Sequence, residues 1–226
     1  METTGNQYIE KIIQRITENT NTTTNVGIII ASPSETPPYK YHWIRDSALV
    51  MRTIVDMYRK TKDPTYFQSI LNYIEIESKL QKLETISGLG EPKYNINCTA
   101  FNGSWGRPQN DGPALRGIIL FQIIELFSYK YETIIQQLIL PIIIRDLEYI
   151  VNNYRKVCFD IWEEKKGWHF YTRMVQTKFL KEAIHYKKLF QDKIDIELIS
   201  NTYQDLLNDL KDHINGETII SSFDEN

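Results

Sequence analysis

The stretch from residue 113 to residue 129 constrains the fold more than any other part of the sequence. Within its apolar centre only Gln122 and Glu125 are polar, and Asp111 and Pro113 stand where a helix begins. A surface helix needs only one apolar stripe, so a helix that is apolar on nearly every side has to be buried by other elements. The stretch is also too short and too interrupted for a membrane span. It predicts a helix inside a protein core.

Other segments carry apolar residues three and four positions apart, which predicts amphipathic helices around that core. These helices are predicted at residues 6–18, 47–60, 64–83, 132–139, 141–154, 170–190 and 194–213. Asp46 or Ser47 is expected to cap the second of them. Residues 26–31 form a short apolar run that predicts a buried extended segment, and strand patterns are otherwise almost absent. The sequence therefore predicts an all-α fold, with residues 1–226 in a single domain because no linker or repeat interrupts them.

Charge and residue counts exclude several classes of function. The net charge of −3 offers no basic surface for nucleic acid. The two cysteines are too few for a disulfide framework, and we expect free thiols. The four histidines are scattered without the spacing of metal ligands, so we expect no metal and no cofactor. The N-terminus has no signal-peptide pattern, which favours an intracellular protein of the cytoplasm or a vacuole.

An acidic cluster is the strongest candidate for chemistry. Asp160, Glu163 and Glu164 lie within five residues of one another, with Trp162 among them. In a helix or a single turn the three carboxylates share one side. Crowding and an aromatic neighbour favour the protonated form of a carboxyl group, and glycosidic bond cleavage needs a protonated acid. The alternative at this point is a solvated acidic turn without a function.

Two upstream stretches and the acidic cluster together resemble a known family. The stretches are residues 31–34 (ASPS) with 39–47 (YKYHWIRDS), then residues 103–116 (GSWGRPQNDGPALR), followed by 160–164 (DIWEE) with 167–172 (GWHFYT). In this order they resemble the glucoamylases, the inverting exo-acting α-glucosidases of glycoside hydrolase family 15. The resemblance is colinear from about residue 26 to the end of the sequence and covers the N-terminal half of the family's catalytic domain.

The resemblance assigns roles to the acidic cluster. Glu163 corresponds to the general acid that protonates the leaving oxygen, and Glu164 corresponds to a substrate-binding carboxylate. Asp160 corresponds to a residue long described as a second catalytic group, and we interpret it as a support for the acid. Trp162 is expected to pack beside these carboxylates. The pair Lys165 and Lys166 departs from the family, and a basic pair favours the ionised form of a nearby acid.

The resemblance also assigns sugar contacts upstream of the acid. The residues concerned are Tyr39, Trp43, Arg45, Asp46 and Trp105. The equivalents of Arg45 and Asp46 bind hydroxyls of the terminal glucose, since a guanidinium donates and a carboxylate accepts hydrogen bonds. Tyr39 and Trp43 are expected to line the same subsite. Trp105 is expected to stack on the sugar beyond the scissile bond, and Arg107 to support its loop.

The fold and the activity of the family follow as expectations. Glucoamylases are (α/α)6 barrels, with six inner helices ringed by six outer ones and an active site at one end. The resemblance implies a partial barrel here, and an α-glucan or maltooligosaccharide as substrate. The general base of the family lies far downstream of the matching region, so we expect the acid and the first sugar subsite without that base. A partial barrel leaves apolar surface exposed, which predicts self-association.

Two alternatives to a glucoamylase-type hydrolase stay open. One is a glucan-binding remnant that retains Arg45, Asp46 and Trp105 but does not catalyse hydrolysis. The other is a gene fragment of a longer enzyme without a separate function. An unrelated all-α structural protein is disfavoured because three long motifs occur in the family's order.

Overall fold

A computed structural model gives the fold and describes residues 2–20 and 25–224. Most of these residues are helical, as predicted. The helices are α1 (Glu2–Glu18), α2 (Ile44–Thr61), α3 (Pro64–Leu80), α4 (Gly112–Phe127), α5 (Glu132–Ile134), α6 (Leu140–Asn153), α7 (Phe170–His185) and α8 (Ile196–Asp212). Short 3-10 turns lie at Gly88–Gly90, Ser128–Tyr131 and Lys187–Leu189. Among the helices so described, none is long and apolar enough to cross a membrane.

The structure contains short strands that the sequence analysis missed. They are β1 (His42–Trp43), β2 (Lys93–Tyr94), β3 (Cys158–Phe159), β4 (Lys166–His169), β5 (Ile214–Asn215), β6 (Thr218–Ile219) and β7 (Ser222–Asp224). β1 pairs antiparallel with β2, β4 pairs antiparallel with both β3 and β7, and β5 and β6 form a hairpin. Strands of two to four residues are too short for a two-residue alternation to be visible in sequence.

The chain divides into two compact units. The first comprises the described parts of Met1–Leu83 together with Lys93–Phe101. Its core is built where α2 and α3 pack together with residues 28–30, which are 0–1% exposed. The extended segment predicted at residues 26–31 is therefore buried over its central isoleucines, as expected. The prediction of a single domain over 1–226 stays a prediction.

A buried polar network holds the start of α2 in the first unit. The backbone N–H of Ile29 donates to Nδ1 of His42 at 3.0 Å, and Nε2 of His42 lies 2.9 Å from Oε1 of Glu77. Because Nδ1 accepts a hydrogen bond, the ring proton lies on Nε2 and faces the carboxylate. The predicted cap at Asp46 or Ser47 was wrong, since α2 begins at Ile44 and its N-cap, Trp43, makes no side-chain capping bond.

The second unit comprises Glu84–Pro92 and the described part of Asn102–Asn226. α4 packs against both α6 and α7, and α7 packs along α8. Nearly all of α4 is buried, which confirms a helix inside the core. Arg116 on α4 donates to Asp146 on α6 through Nε at 2.9 Å and through a terminal nitrogen at 2.6 Å, so this buried charge pair is bidentate.

The predicted break between helices at residues 139 and 141 was wrong. α5 continues into α6 through a π-helical segment, Ile135–Ile139, with Pro141 in the first turn of α6. Proline lacks a backbone donor and its ring collides with the carbonyl four residues earlier. A wider turn directly before the proline relieves that collision, so the helical path does not have to end.

Candidate active site

The acidic cluster lies on a hairpin turn, not on a helix. β3 and β4 pair with Cys158 opposite Gly167 and Phe159 opposite Lys166. Across the turn, the N–H of Asp160 donates to the carbonyl of Lys165 at 2.9 Å, and the N–H of Glu163 donates to the carbonyl of Asp160 at 3.0 Å. The turn carries all three carboxylates, but only Asp160 and Glu164 line the same pocket, so a side shared with Glu163 stays a prediction.

The Asp160 side chain holds this turn in shape. Its Oδ1 accepts from the backbone N–H of Glu164 at 2.8 Å and from that of Lys165 at 3.0 Å. Aspartate commonly bonds backbone donors a few residues ahead and so stabilises a turn. The carboxylate fixes the backbone directly after Glu163, which fits a residue that supports the candidate acid.

Glu163 adopts a strained backbone conformation at the end of the turn. Its φ of 65° lies in the left-handed region, which costs a non-glycine residue free energy and is concentrated at functional sites. The side chain is half-buried. Its Oε1 accepts a hydrogen bond of 2.8 Å from Nε2 of Gln109, a side chain that is 2% exposed.

Gln109 was not among the residues singled out from the sequence. It lies within residues 103–116, the stretch from which only Trp105 and Arg107 were interpreted. A buried glutamine leaves no periodic pattern, so only its place in the motif could have indicated a role. The Gln109 backbone is also fixed, because its N–H donates to the carbonyl of Gly90 at 2.9 Å.

The loop that carries Trp105 lies directly against the turn at residues 160–165, called the acid turn below. A Cβ added at Gly106 would lie 2.9 Å from Cδ1 of Phe159 and 3.0 Å from the carbonyl oxygen of Glu163. A larger residue at position 106 would therefore force the Phe159 ring or the Glu163 backbone to shift. Trp105 itself is half-buried. Arg107 donates to Glu91 at 3.0 Å and to the carbonyl of Gly103 at 2.8 Å, so it supports the loop as expected.

An open pocket of about 410 Å³ lies beside the acidic turn. Its lining includes Asp160, Trp162, Glu164, Lys165, Tyr171, Thr172, Ile219 and Ser222. The sequence predicted that Trp162 packs beside the carboxylates. Its indole is instead 75% exposed, so it does not pack closely there. Exposed aromatic rings with carboxylate and hydroxyl groups suit a sugar, which offers an apolar face and a ring of hydroxyls.

Both cysteines are free thiols, as predicted. Cys158 immediately precedes the acid turn on β3. Burial raises the pKa of the Cys158 thiol from 9.0 to about 11, and hydrogen bonds from the Asn110 backbone and Thr172 oppose that shift. The thiol is therefore protonated at neutral pH and is a weak nucleophile.

In residues 2–20 and 25–224, no three His, Cys, Asp or Glu side chains converge as a metal site.

The first unit holds four of the five sugar-contact residues predicted upstream, and the fifth, Trp105, lies in the second unit. The ring centroids of Tyr39 and Trp43 lie 6.0 Å apart, and Nε of Arg45 lies 3.8 Å from Oδ2 of Asp46. Lys93, which the sequence analysis did not single out, is buried with Nζ 4.5 Å from the Trp43 ring. A cation over an aromatic face is attracted to it, so Lys93 helps to hold the Trp43 ring in place.

Comparison with known proteins places the sequence in a family context. The model of Glycosyl hydrolases family 15 matches residues 5–226. Glucoamylase-1 of Schizophyllum commune is 42% identical over 164 residues, which cover 69% of this chain and 28% of that protein. The intracellular sporulation-specific glucoamylase of Saccharomyces cerevisiae is 35% identical over 230 residues, which cover 92% of this chain and 41% of that protein.

A solved structure agrees with the sequence matches. The family 15 glucoamylase of Hypocrea jecorina superposes with a TM-score of 0.83 at 34% identity, covering 90% of this chain and 35% of that one. This match confirms the predicted fold class, all-α with part of an (α/α)6 barrel. The chain thus spans well under two thirds of the length of these relatives.

Proposed function

The chain belongs to glycosyl hydrolase family 15, and from this premise we propose that it takes part in the release of glucose from the non-reducing ends of α-1,4-linked glucans. Glu163 is the general acid of this reaction. The observation that carries the proposal is the acid turn, where Asp160 bonds the backbone N–H groups of Glu164 and Lys165. That geometry supports Asp160 as a positioning residue, and the resemblance to glucoamylases assigns the proton donor to Glu163.

The reaction is hydrolysis with inversion at the anomeric carbon. Glu163 donates a proton to the glycosidic oxygen while the bond from that oxygen to the anomeric carbon breaks. A water molecule attacks from the opposite face and gives its proton to a second carboxylate, roughly 6.5–9.5 Å from the first. The resemblance to glucoamylases assigns this base to a region beyond the one that matches here.

Sugar binding is the second part of the proposal. In the second unit, Trp162 and Glu164 contact the glucan, a role supported by the exposed indole of Trp162 and the pocket that both residues line. For Trp105 the resemblance alone supports a contact with the glucan. For the first unit, the resemblance implies that Arg45 and Asp46 bind hydroxyls of the terminal glucose. Tyr39, which is 43% exposed, supplies apolar surface for the sugar face, and the ring of Trp43, which is only 3% exposed, packs against it. The substrate class is an α-glucan or a maltooligosaccharide.

The test measures turnover of maltotriose by the purified chain with and without sodium azide, using proton NMR. Azide can attack the anomeric carbon in place of base-activated water. The bond to the leaving oxygen then breaks, a bond to nitrogen forms, and Glu163 protonates the leaving sugar. With azide we expect β-glucosyl azide, and without it we expect little β-glucose, because the proposed base lies beyond the matching region.

The matched variant is Glu163→Gln, which keeps the size of the side chain and loses the transferable proton. We expect it to form neither product above the uncatalysed rate. Absence of both products with the wild-type chain would overturn the proposed catalysis. Calorimetric binding of maltotriose in that case would instead support a glucan-binding protein without turnover.

A further inference from the structure

The side-chain amide of Gln109 joins the Trp105 loop to the candidate acid. Its Nε2 donates to the carbonyl of Gly106 at 3.1 Å and to Oε1 of Glu163 at 2.8 Å. An amide nitrogen carries two hydrogens, and these two acceptors use both of them. No sequence pattern had pointed to this residue, and it contacts the group that donates the proton in the proposed reaction.

The orientation of the amide follows from its partners. A glutamine oxygen and nitrogen are distinguished by their hydrogen bonds, and a backbone carbonyl can only accept. The group that faces the Gly106 carbonyl therefore has to be the NH2 group. The same nitrogen faces Oε1 of Glu163, so an N–H is directed at that oxygen.

From this geometry we infer that Gln109 is a positioning residue that directs the proton of Glu163 to Oε2. A carboxylic acid carries its hydrogen on one of two oxygens. A proton on Oε1 would compete with the Gln109 N–H for the space and lone pairs of that atom, whereas a proton on Oε2 leaves the bond from Gln109 intact. The inference rests on the proposed function of Glu163 as an acid.

Burial of Gln109 keeps its hydrogen bond to Oε1 of Glu163 in place. Gln109 is 2% exposed and its backbone N–H is bonded to the carbonyl of Gly90. The N–H of Phe159 on β3 donates to the carbonyl of Pro108 at 2.8 Å, which ties the hairpin to the residue preceding Gln109. A buried donor that loses its acceptor is costly, so the bond to Oε1 is kept in either protonation state of Glu163.

Hydrogen exchange of the Gln109 side-chain amide tests the inference without turnover. The amide resonances are assigned by their loss in Gln109→Met and followed by proton–nitrogen NMR from pH 7 to the lowest pH at which the chain stays folded. Gln136 is a matched reference, since its Nε2 also donates to a carboxylate, Oε1 of Glu132, at 2.8 Å but in an exposed position.

We expect the Gln109 amide to exchange at least about 10-fold more slowly than that of Gln136 throughout, as a buried and satisfied donor does. Loss of this protection as Glu163 takes up its proton would place the proton on Oε1 and overturn the inference.

Leaving-group dependence provides a kinetic test. In the azide-containing assay, cleavage of maltotriose requires protonation of the leaving oxygen. Cleavage of α-glucosyl fluoride requires little help from an acid, because fluoride is a good leaving group. We expect Gln109→Met to slow the turnover of maltotriose by about 10- to 100-fold, within the usual contribution of a general acid. The turnover of α-glucosyl fluoride should slow by less than about 3-fold.

Equal losses on both substrates would indicate only structural damage and would contradict the inference. Gln136→Met is the control and is expected to behave as wild type on both. If the wild-type chain processes neither substrate, the proposed function fails, and the exchange measurement still decides whether Gln109 directs the proton.

Discussion

At the scale of single residues, the acid turn depends on one oxygen of Asp160. The sequence indicated three neighbouring carboxylates, and the family resemblance separated their proposed roles. The structure adds that Oδ1 of Asp160 accepts two backbone hydrogen bonds. Replacement by asparagine separates the charge of Asp160 from its role as a hydrogen-bond acceptor, because asparagine is neutral but retains an oxygen in the same position.

We expect Asp160→Asn to keep most of the stability and Asp160→Ala to be less stable. Alanine removes the acceptor of the N–H groups of Glu164 and Lys165, and because both bonds are exposed and water can replace it, each lost bond should cost about 0.5–1.5 kcal/mol. Urea unfolding of both variants measures the difference. An Asp160→Ala chain as stable as Asp160→Asn would show that the turn does not depend on this oxygen.

The buried thiol of Cys158 predicts a pH dependence of stability. Its pKa is raised by burial from 9.0 to about 11, so the folded state favours the protonated thiol. This contribution is complete below pH 9 and is lost as the pH rises from 9 toward 11, because the unfolded chain ionises first.

Between pH 8 and pH 10.5 the wild type should lose about 2 kcal/mol more unfolding free energy than Cys158→Ala. Denaturant unfolding at the two pH values gives both quantities. Parallel losses in the two proteins would mean that the thiol does not titrate with an altered pKa.

Residues with chemistry in a recognisable motif were predictable, and their buried partners were not. Glu163 and Arg45 were singled out because the motifs carry them. Gln109 and Lys93 acquire significance only from what surrounds them, a carboxylate oxygen for one and an aromatic ring for the other. Such contacts join residues about fifty positions apart in sequence, as Gln109 and Glu163 are, and no local pattern reports them.

At the scale of secondary-structure elements, long helices were predictable and short strands were not. The apolar centre of α4 predicted a buried helix, and Asp63 and Pro64 begin α3 as capping rules expect. The hairpin of β3 and β4 escaped prediction because each strand has only two to four residues. β4 also pairs with β7, which lies more than fifty residues further along the chain.

The ion pair between α4 and α6 gives a prediction at this scale. Arg116→Met should destabilise the chain by about 3–5 kcal/mol, because it leaves the carboxylate of Asp146 buried with a lost partner. The double variant Arg116→Met with Asp146→Leu should lose less, since no buried charge remains uncompensated.

Arg155→Met is the matched control for this pair. Arg155 donates to Asp205 at 2.6 Å, the same distance as in the buried pair, but both side chains are exposed. Solvent screens such pairs, so we expect a far smaller change in the unfolding free energy. Equal destabilisation by Arg116→Met and Arg155→Met would contradict the importance of burial.

At the scale of the whole molecule, exposed apolar side chains predict self-association. In the second unit Trp162 is 75% exposed, and Ile214 and Ile219, which pair across the β5–β6 hairpin, are 58% and 59% exposed. Clustered apolar surface of this kind marks an interaction site. We expect sedimentation velocity to show mass that increases with chain concentration.

Ile214→Thr with Ile219→Thr tests this surface while keeping β-branched residues in the hairpin. The double variant should remain monomeric at concentrations where the wild type associates. A wild-type chain that stays monomeric at every concentration and melts in a single cooperative transition would contradict the prediction.

The central claim is that Glu163 donates the proton, and a comparison of turnover with binding tests it most directly. Maltotriose turnover in the azide-containing assay and maltotriose affinity by calorimetry are measured for the wild type and for Glu163→Gln. We predict a loss of at least about 100-fold in turnover, the scale of general acid catalysis, with less than about a 3-fold change in Kd. A Glu163→Gln chain that turns over maltotriose at the wild-type rate would contradict the account.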